Sequence, residues 1–387
     1  MANARWPWVG GLVLVTAACG GGDGAVAPGT VPSPSAMASG APPGQRLADQ
    51  LTPPPPENHL VDLIAAGGHH TCARLVEGSV WCWGRNDHGQ LGWGAPTLNM
   101  PTRTLPTLVR GLTGVEELSL GQQHACARSK DGTVRCWGSN ENGQLGDGTA
   151  EDRYEPVQVK GVVDAIALGA GSTATCAVLT GGSVICWGGL PGQNAVPPAA
   201  PVAQSRTAMP VSGLSDIVAV TVGRAHACAL GSDGKVSCWG DNAAGQLGDG
   251  SVESQAKPVA VKKLAGVARV DAGTTSTCAL LRDARVRCWG RLAEQEFGPV
   301  PKPLPGGSSV AEIAGSCARG TEGAVSCRRG DGIEVVEEGG AARIAAGEGH
   351  ACLLTGEGEV RCWGSNASGQ LGDGSKLVRT LPTALRW

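Results

Sequence analysis

From Leu60 onward the apolar positions fall into short runs that recur in a fixed order. The first reads Pro-x-x-Val, as in Pro106 to Val109, Pro156 to Val159 and Pro258 to Val261. The second, as in Val61 to Ala66, Val163 to Leu168 or Ile217 to Val222, ends in glycine. The third and fourth are the arms of a hairpin around a polar turn, seen most fully in Gly121 to Gly148, GQQHACARSKDGTVRCWGSNENGQLGDG. Short runs bounded by Gly and Asp-Gly turns predict β-strands, four to a repeat.

Each hairpin carries two cysteines ten residues apart: Cys72/Cys82, Cys126/Cys136, Cys176/Cys186, Cys228/Cys238, Cys278/Cys288, Cys317/Cys327 and Cys352/Cys362. An odd number of residues lies between them, so cysteines that face each other across the ladder leave an odd loop, and a three-residue loop fits. Such a loop is a type I turn followed by a residue at positive φ, usually glycine. Centring it between Cys126 and Cys136 puts Gly132 third. Gly78, Gly182, Gly234, Gly323 and Gly358 take the same place, and Ala284 departs. Directly opposed residues have Cα atoms ~4.5–5.5 Å apart, within reach of a disulfide. The spacing therefore predicts seven cross-strand disulfides, one per hairpin.

Successive first cysteines are 54, 50, 52, 50, 39 and 35 residues apart. Four short antiparallel strands at that period are the signature of a β-propeller, and seven units give seven blades. The first unit begins at Val61 without a Pro-x-x-Val piece, while Pro382 to Leu385 supply one beyond the seventh hairpin. The expected fold is all-β: a seven-bladed propeller of four-stranded antiparallel blades, whose C-terminal strand completes the N-terminal blade and closes the ring. Closure removes the open sheet edge that would otherwise template aggregation.

The pattern Gly-x-x-His-x-x-Ala, Asp-Gly-x-Val, Trp-Gly-x-Asn-x-x-Gly-Gln-Leu-Gly resembles the repeat of the regulator of chromosome condensation (RCC1) family, whose fold is a seven-bladed propeller. Gly89-Gln90-Leu91-Gly92, Gly143 to Gly146, Gly245 to Gly248 and Gly369 to Gly372 follow Trp-Gly in register. Three units depart: the third has Gly189-Leu190-Pro191, the fifth Glu296-Phe297-Gly298, and the sixth puts Arg328-Arg329 where Trp-Gly should stand. The paired cysteines add to the usual family pattern. Guanine-nucleotide exchange and chromatin binding, known for intracellular members, do not carry over, because no basic N-terminal arm is present.

Composition narrows the picture further. Sixty-one glycines with one Phe and one Tyr describe a turn-rich β protein whose core is Val, Ala, Leu and a repeated Trp. A net charge of −3 gives no electrostatic case for nucleic acid or acidic lipid. Paired cysteines belong in an oxidising compartment. Arg5, the apolar run Val9 to Ala18 and Thr16-Ala17-Ala18-Cys19 resemble a bacterial lipoprotein signal, in which Cys19 is lipidated; it is the cysteine left without a partner. Gly20 to Asn58, rich in Gly, Pro and Ala, buries too little to order itself and reads as a tether with a reach of roughly 35 Å. The expected domains are a signal at 1–18, a linker at 19–58 and the propeller at 59–387.

His70, His124, His226 and His350 repeat around the ring and so cannot converge on one metal ion; hydrogen bonding between strands or blades is the expected role. Trp83, Trp137, Trp187, Trp239, Trp289 and Trp363 follow the second cysteine and face away from it, filling the space between blades. Asp147, Asp249 and Asp373, like Asn86, Asn140, Asn242 and Asn366, read as turn residues. No nucleophile elbow, phosphate loop or HExxH occurs, and no catalytic residue, metal or cofactor is expected. Trp81 and Trp93 do not repeat and are the candidate binding residues, with Trp93 to Arg103 and Gly189 to Met209 as candidate binding loops. The function expected is a monomeric, non-enzymatic protein-binding scaffold of the cell envelope or secreted space, touching membrane through its lipid alone. An inhibitor of a secreted enzyme, or a carbohydrate-active enzyme or lectin, is the alternative.

Overall fold

The computed structural model of the chain describes residues 59–94, 101–189, 204–292, 295–329 and 332–387. The expected signal and tether, Cys19 with them, lie outside these residues, as do parts of the two candidate loops. The described residues form seven four-stranded antiparallel sheets. Blade 1 comprises Val61–Ala66, His70–Leu75, Val80–Arg85 and Thr102–Leu108, the strands of blades 2 to 7 fall within 115–158, 165–210, 217–260, 267–303, 310–337 and 341–384, and in every blade the four strands pair in chain order.

Closure differs from the expectation. The C-terminal strand Arg379–Ala384 pairs with Val360–Gly364 inside blade 7, and blade 1 takes its fourth strand from Thr102–Leu108. The Pro-x-x-Val piece is thus the outer strand of the hairpin before it. The ring closes instead by packing and by hydrogen bonds between blades 7 and 1, such as Val61 N to the Gly358 carbonyl at 3.1 Å. Leu385 and Trp387 pack into a core with Val61 and Trp81, and the Trp387 ring stacks on His59 with centroids 5.1 Å apart.

The hairpins match the spacing argument. Cys72 lies opposite Cys82, and each later pair, through Cys176 opposite Cys186 and Cys317 opposite Cys327 to Cys352 opposite Cys362, is likewise disulfide-bonded. The third loop residue is left-handed in every hairpin, from Gly132 at φ 78° to Gly78 at 97°. Ala284 is forced into the same conformation at φ 62°.

Blade 3 corrects two expectations at Cys186. Its Cα lies 4.0 Å from that of Cys176, and the other six pairs are at 4.1 Å. These separations fall below the ~4.5–5.5 Å expected of an opposed pair, because a disulfide holds its Cβ atoms about 3.8 Å apart and draws the strands together. On its other side Cys186 lies opposite Met209. The segment Gly189 to Met209, expected to be a loop throughout, therefore ends as a strand: Gln204–Pro210 is the outer strand of blade 3.

Strand alternation then builds the core. The disulfide of one blade lies beneath the tryptophan of the next: Cys126 and Cys136 under Trp187, Cys176 and Cys186 under Trp239, Cys228 and Cys238 under Trp289, Cys352 and Cys362 under Trp83. The junction of blades 5 and 6 departs from this. Cys278 and Cys288 meet Phe297 and Val310, because blade 6 has no tryptophan to offer.

Candidate functional site

The Asn-x-x-Gly-Gln-Leu-Gly loop is a latch between blades. In blade 2 the Asn140 Oδ1 accepts from Leu145 N at 3.0 Å and the Gln144 Oε1 from Asn142 N at 2.9 Å, which ties the loop to itself and leaves the Gln144 carbonyl pointing outward. That carbonyl accepts from Trp187 Nε1 of blade 3 at 2.9 Å and from Thr175 Oγ1 at 3.0 Å. Gln90, Gln246 and Gln370 receive Trp137, Trp289 and Trp83 in the same way. Asp147, Asp249 and Asp373 accept from the N–H two residues on, so they are turn residues.

The repeated histidines join the same junctions. His124 Nε2 lies 2.8 Å from Thr175 Oγ1, His226 Nε2 2.9 Å from Thr277 Oγ1 and His350 Nε2 2.9 Å from Thr71 Oγ1. Each threonine hydroxyl gives its single proton to a glutamine carbonyl, so the imidazole donates from Nε2. Burial pushes these three histidines down to about 4, which keeps the rings neutral at pH 7. His70 is the exception. It faces Ala125 rather than a threonine, both ring nitrogens lack a partner among the described residues, and burial with neighbouring histidines pushes it down to about 3. The glycine of Gly-x-x-His is needed because a Cβ at Gly121 would lie 2.3 Å from the His124 ring and 2.2 Å from the Gly171 carbonyl of blade 3.

Inside this ring runs a channel of about 1070 Å³, lined by the innermost strands and the turns that follow them. Its walls are mostly Ala, Gly and main chain; Gln122, Arg224, Asp271, Arg291 and Glu348 are polar side chains outside the repeat. Gln122 Nε2 donates to Glu348 Oε2 at 3.1 Å. Burial raises the Asp271 carboxyl above the usual range, while an N–H from Gly315 to its Oδ2 at 2.8 Å opposes the rise. This acid thus ties blade 5 to the short inner turn of blade 6, Gly315-Ser316. Among the described residues no second acid or base pairs with Asp271, while Glu348 at the channel wall lies 3.9 Å from His69 Nε2. No group of three His, Cys, Asp or Glu that could hold a metal occurs among those residues.

The two tryptophans expected as binding candidates are not available for binding. Trp81 is 3% exposed, its edge covered by Trp387 at 5.9 Å, a residue brought in only by ring closure. Trp93 is 1% exposed and occupies the position that Asp147 and Asp373 hold in blades 2 and 7. Those aspartates pair with Arg153 and Arg379, each at 2.7 Å. In blade 1 the corresponding Arg103 lies 5.7 Å from the Trp93 ring centroid, so a cation–π contact stands where the other blades have that ion pair. Trp93 is therefore core, and its truncation would cost about 3–5 kcal/mol.

What the repeat loses at one junction opens a second site. Blade 5 lacks the Gly-Gln-Leu-Gly latch and blade 6 lacks the tryptophan, leaving a small cavity of about 50 Å³. Val286, Leu292, Leu304, Ile313 and Ile333 line it with Arg328, which stands where the tryptophan should be. Arg328 Nε and Nη1 are shielded from solvent and have no hydrogen-bond partner among the described residues.

Comparison with known proteins bears on fold and family. Two models described as "Regulator of chromosome condensation (RCC1) repeat" match, one at residues 61–90, 115–144, 217–246 and 341–370, the other at 77–128, 131–178 and 233–280. The chain is 32% identical over 232 residues to the human protein "Probable E3 ubiquitin-protein ligase HERC6", across 57% of this chain and 22% of that protein. It is 36% identical over 95 residues to human "Regulator of chromosome condensation", across 24% of this chain and 22% of that one. The chain thus spans about a fifth of the length of the curated relatives it matches. Among solved structures, human WBSCR16 superposes with a TM-score of 0.69 at 20% identity, over 80% of this chain and 94% of that one. Yeast RCC1 (Prp20), solved with Kap60 bound, gives 0.56 at 20% identity, over 84% and 75%.

Proposed function

The chain belongs to the regulator of chromosome condensation (RCC1) repeat family, and from that premise we propose that it is an extracytoplasmic, lipid-anchored, non-enzymatic scaffold that binds a partner protein. The observation that carries the reading is one buried disulfide in every blade, seven in all. Fourteen thiols paired as local bridges suit an oxidising compartment and would stay reduced in a cytosol. Each bridge closes a loop of about ten residues, worth up to roughly 2–3 kcal/mol in chain entropy. A signal ending at Cys19 supplies both export and anchor, and the segment to Asn58 the tether. Protein binding is supported by the family fold and by yeast RCC1 having been solved with Kap60 bound; nucleic acid is disfavoured by the net charge of −3.

The test expresses the full chain in a bacterial host with a periplasm. Cells should carry it in the detergent phase, with mass mapping of the unreduced protein showing only pairs ten residues apart, such as Cys176 with Cys186. Cys19→Ala should release a folded, soluble protein. Unchanged detergent partitioning of that variant, or several free thiols, would overturn the reading.

A further inference from the structure

A propeller hides its inner strands, but every blade ends in an outer strand with one unpaired edge, a template for another chain. Six of the seven outer strands guard that edge with proline, which has no N–H to offer: Pro106, Pro156, Pro210, Pro258, Pro299 and Pro382 all stand within them. Blade 6 does not. Its outer strand Gly332–Glu337 reads GIEVVE, with Ile333 48% and Val335 57% exposed on one face. Ile333 lies directly opposite Arg328, so both project from the same face, and both line the cavity between blades 5 and 6. An unguarded edge, two exposed β-branched side chains and a guanidinium short of partners therefore share one surface.

We propose that this surface docks an extended segment of a partner protein, which adds to blade 6 as a fifth strand along Gly332–Glu337. The inference rests on the scaffold reading and gives it a location. Main-chain hydrogen bonds to the open edge supply affinity, and side chains at alternate positions supply selectivity. One face of the segment carries aliphatic residues that lie against Val335 and Ile333 and close the cavity. An aspartate or glutamate on that face meets Arg328; two strand spacings, about 10 Å, separate the backbones, a span that an arginine and a carboxylate bridge. Such a pair is bidentate and partly desolvated, and the shielded guanidinium nitrogens gain the acceptor they lack among the described residues. The partner's docking segment is thus a proline-free strand with alternating aliphatic residues and one acid.

A displayed library of short linear peptides panned on the full chain tests this. Enriched sequences should lack internal proline, alternate aliphatic residues and include Asp or Glu. A synthetic copy should bind Val335→Lys at least about tenfold more weakly than the wild type. Its acid-to-amide analogue should lose affinity for the wild type but not for Arg328→Met, with melting temperatures unchanged. Equal binding by a backbone N-methylated peptide, undiminished binding to Val335→Lys, failure to enrich any sequence, or a dimer that Val335→Lys dissolves would each overturn the proposal. If Val335→Lys still captures the cell-surface partner as well as the wild type does, the edge is wrong and the scaffold reading stands; if neither captures any partner, the scaffold reading itself fails.

Discussion

His70 is a buried imidazole whose ring nitrogens have no partner among the described residues, and supplying one from position 125 should stabilise the protein. Threonine occurs one position after the histidine column in blades 1, 3 and 5, as Thr71, Thr175 and Thr277, and each is met by the histidine of the preceding blade. Ala227 and Ala351 occupy that column where the preceding blade has no histidine. Ala125 breaks the correspondence. In Ala125→Thr the hydroxyl would donate to the Gln90 carbonyl, as Thr175 does to Gln144 at 3.0 Å, and accept from His70 Nε2. Two net hydrogen bonds contribute about 0.5–1.5 kcal/mol each, and one buried unsatisfied donor is relieved. Two added heavy atoms cost up to about 1–3 kcal/mol where a core cannot admit them. Here the site has precedent: Thr175 and Thr277 sit beside Cys126 and Cys228 with Oγ1 to Sγ at 4.0 Å.

The expected net gain is about 1–2 kcal/mol, from those hydrogen bonds less a modest packing cost. At ~2.1 cal/mol/K per residue, roughly 330 ordered residues give an unfolding entropy near 0.7 kcal/mol/K, so the melting temperature should rise by roughly 1.5–3 °C. Matched calorimetric scans under oxidising conditions measure it. The control is Ala351→Thr, which buries a hydroxyl with neither histidine nor glutamine latch in the blade before it and should cost about 1–3 kcal/mol. The same sign of change in both variants would refute the pairing argument.

Other perturbations follow from the same geometry. Ala284→Gly relieves a left-handed alanine and should be neutral or stabilising by up to ~1 kcal/mol, read as a denaturant midpoint. Gly78→Ala has open space around the new Cβ and should cost about 1 kcal/mol, whereas Gly132→Ala also brings a Cβ within 2.8 Å of the Val163 carbonyl and should cost more; equal costs would show that conformation alone decides. The four buried histidines have folded pKa values of about 3 to about 4, below the unfolded 6.5, so unfolding takes up protons in acid. Their stabilisation is fully present above pH ~6.5 and should fall as pH drops toward ~4, with a limiting slope of about 1.4 kcal/mol per unit for each histidine; a melting temperature flat across that window would contradict it.

The hairpins were legible in sequence because an odd spacing, a glycine at the third loop position and opposed cysteines are one local constraint seen seven times. Strand phase was not, since in a ring of identical units the pattern Pro-x-x-Val can be assigned to the hairpin before or after it. Only pairing such as Cys82 with Thr107 decides. The same ambiguity hid the outer strand of blade 3, which lacks Pro-x-x-Val altogether and is recognisable only where Met209 meets Cys186. Trp81 was misread for a related reason: the residue that covers it, Trp387, lies at the other end of the chain, and closure alone brings them together. Trp93 could have been read correctly, because Gly92-Trp93-Gly94 aligns with Gly146-Asp147-Gly148 and an arginine follows in both blades.

The site at blade 6 was present in the sequence as a set of departures, and their consequence needed the rule of assembly. Each junction is made of two halves, a glutamine loop from one blade and a tryptophan from the next. Losing one half is tolerated: Trp239 and Trp363 meet blades without the loop and are still only 3% exposed. Losing both, as blades 5 and 6 do, leaves the junction to Phe297, small aliphatic side chains such as Val286 and Val310, and an arginine short of partners among the described residues. The same blade also lacks the edge proline of the other six and exposes Ile333 and Val335, so an open junction, an unguarded edge and two apolar side chains meet in one blade, which is the combination a docking strand needs.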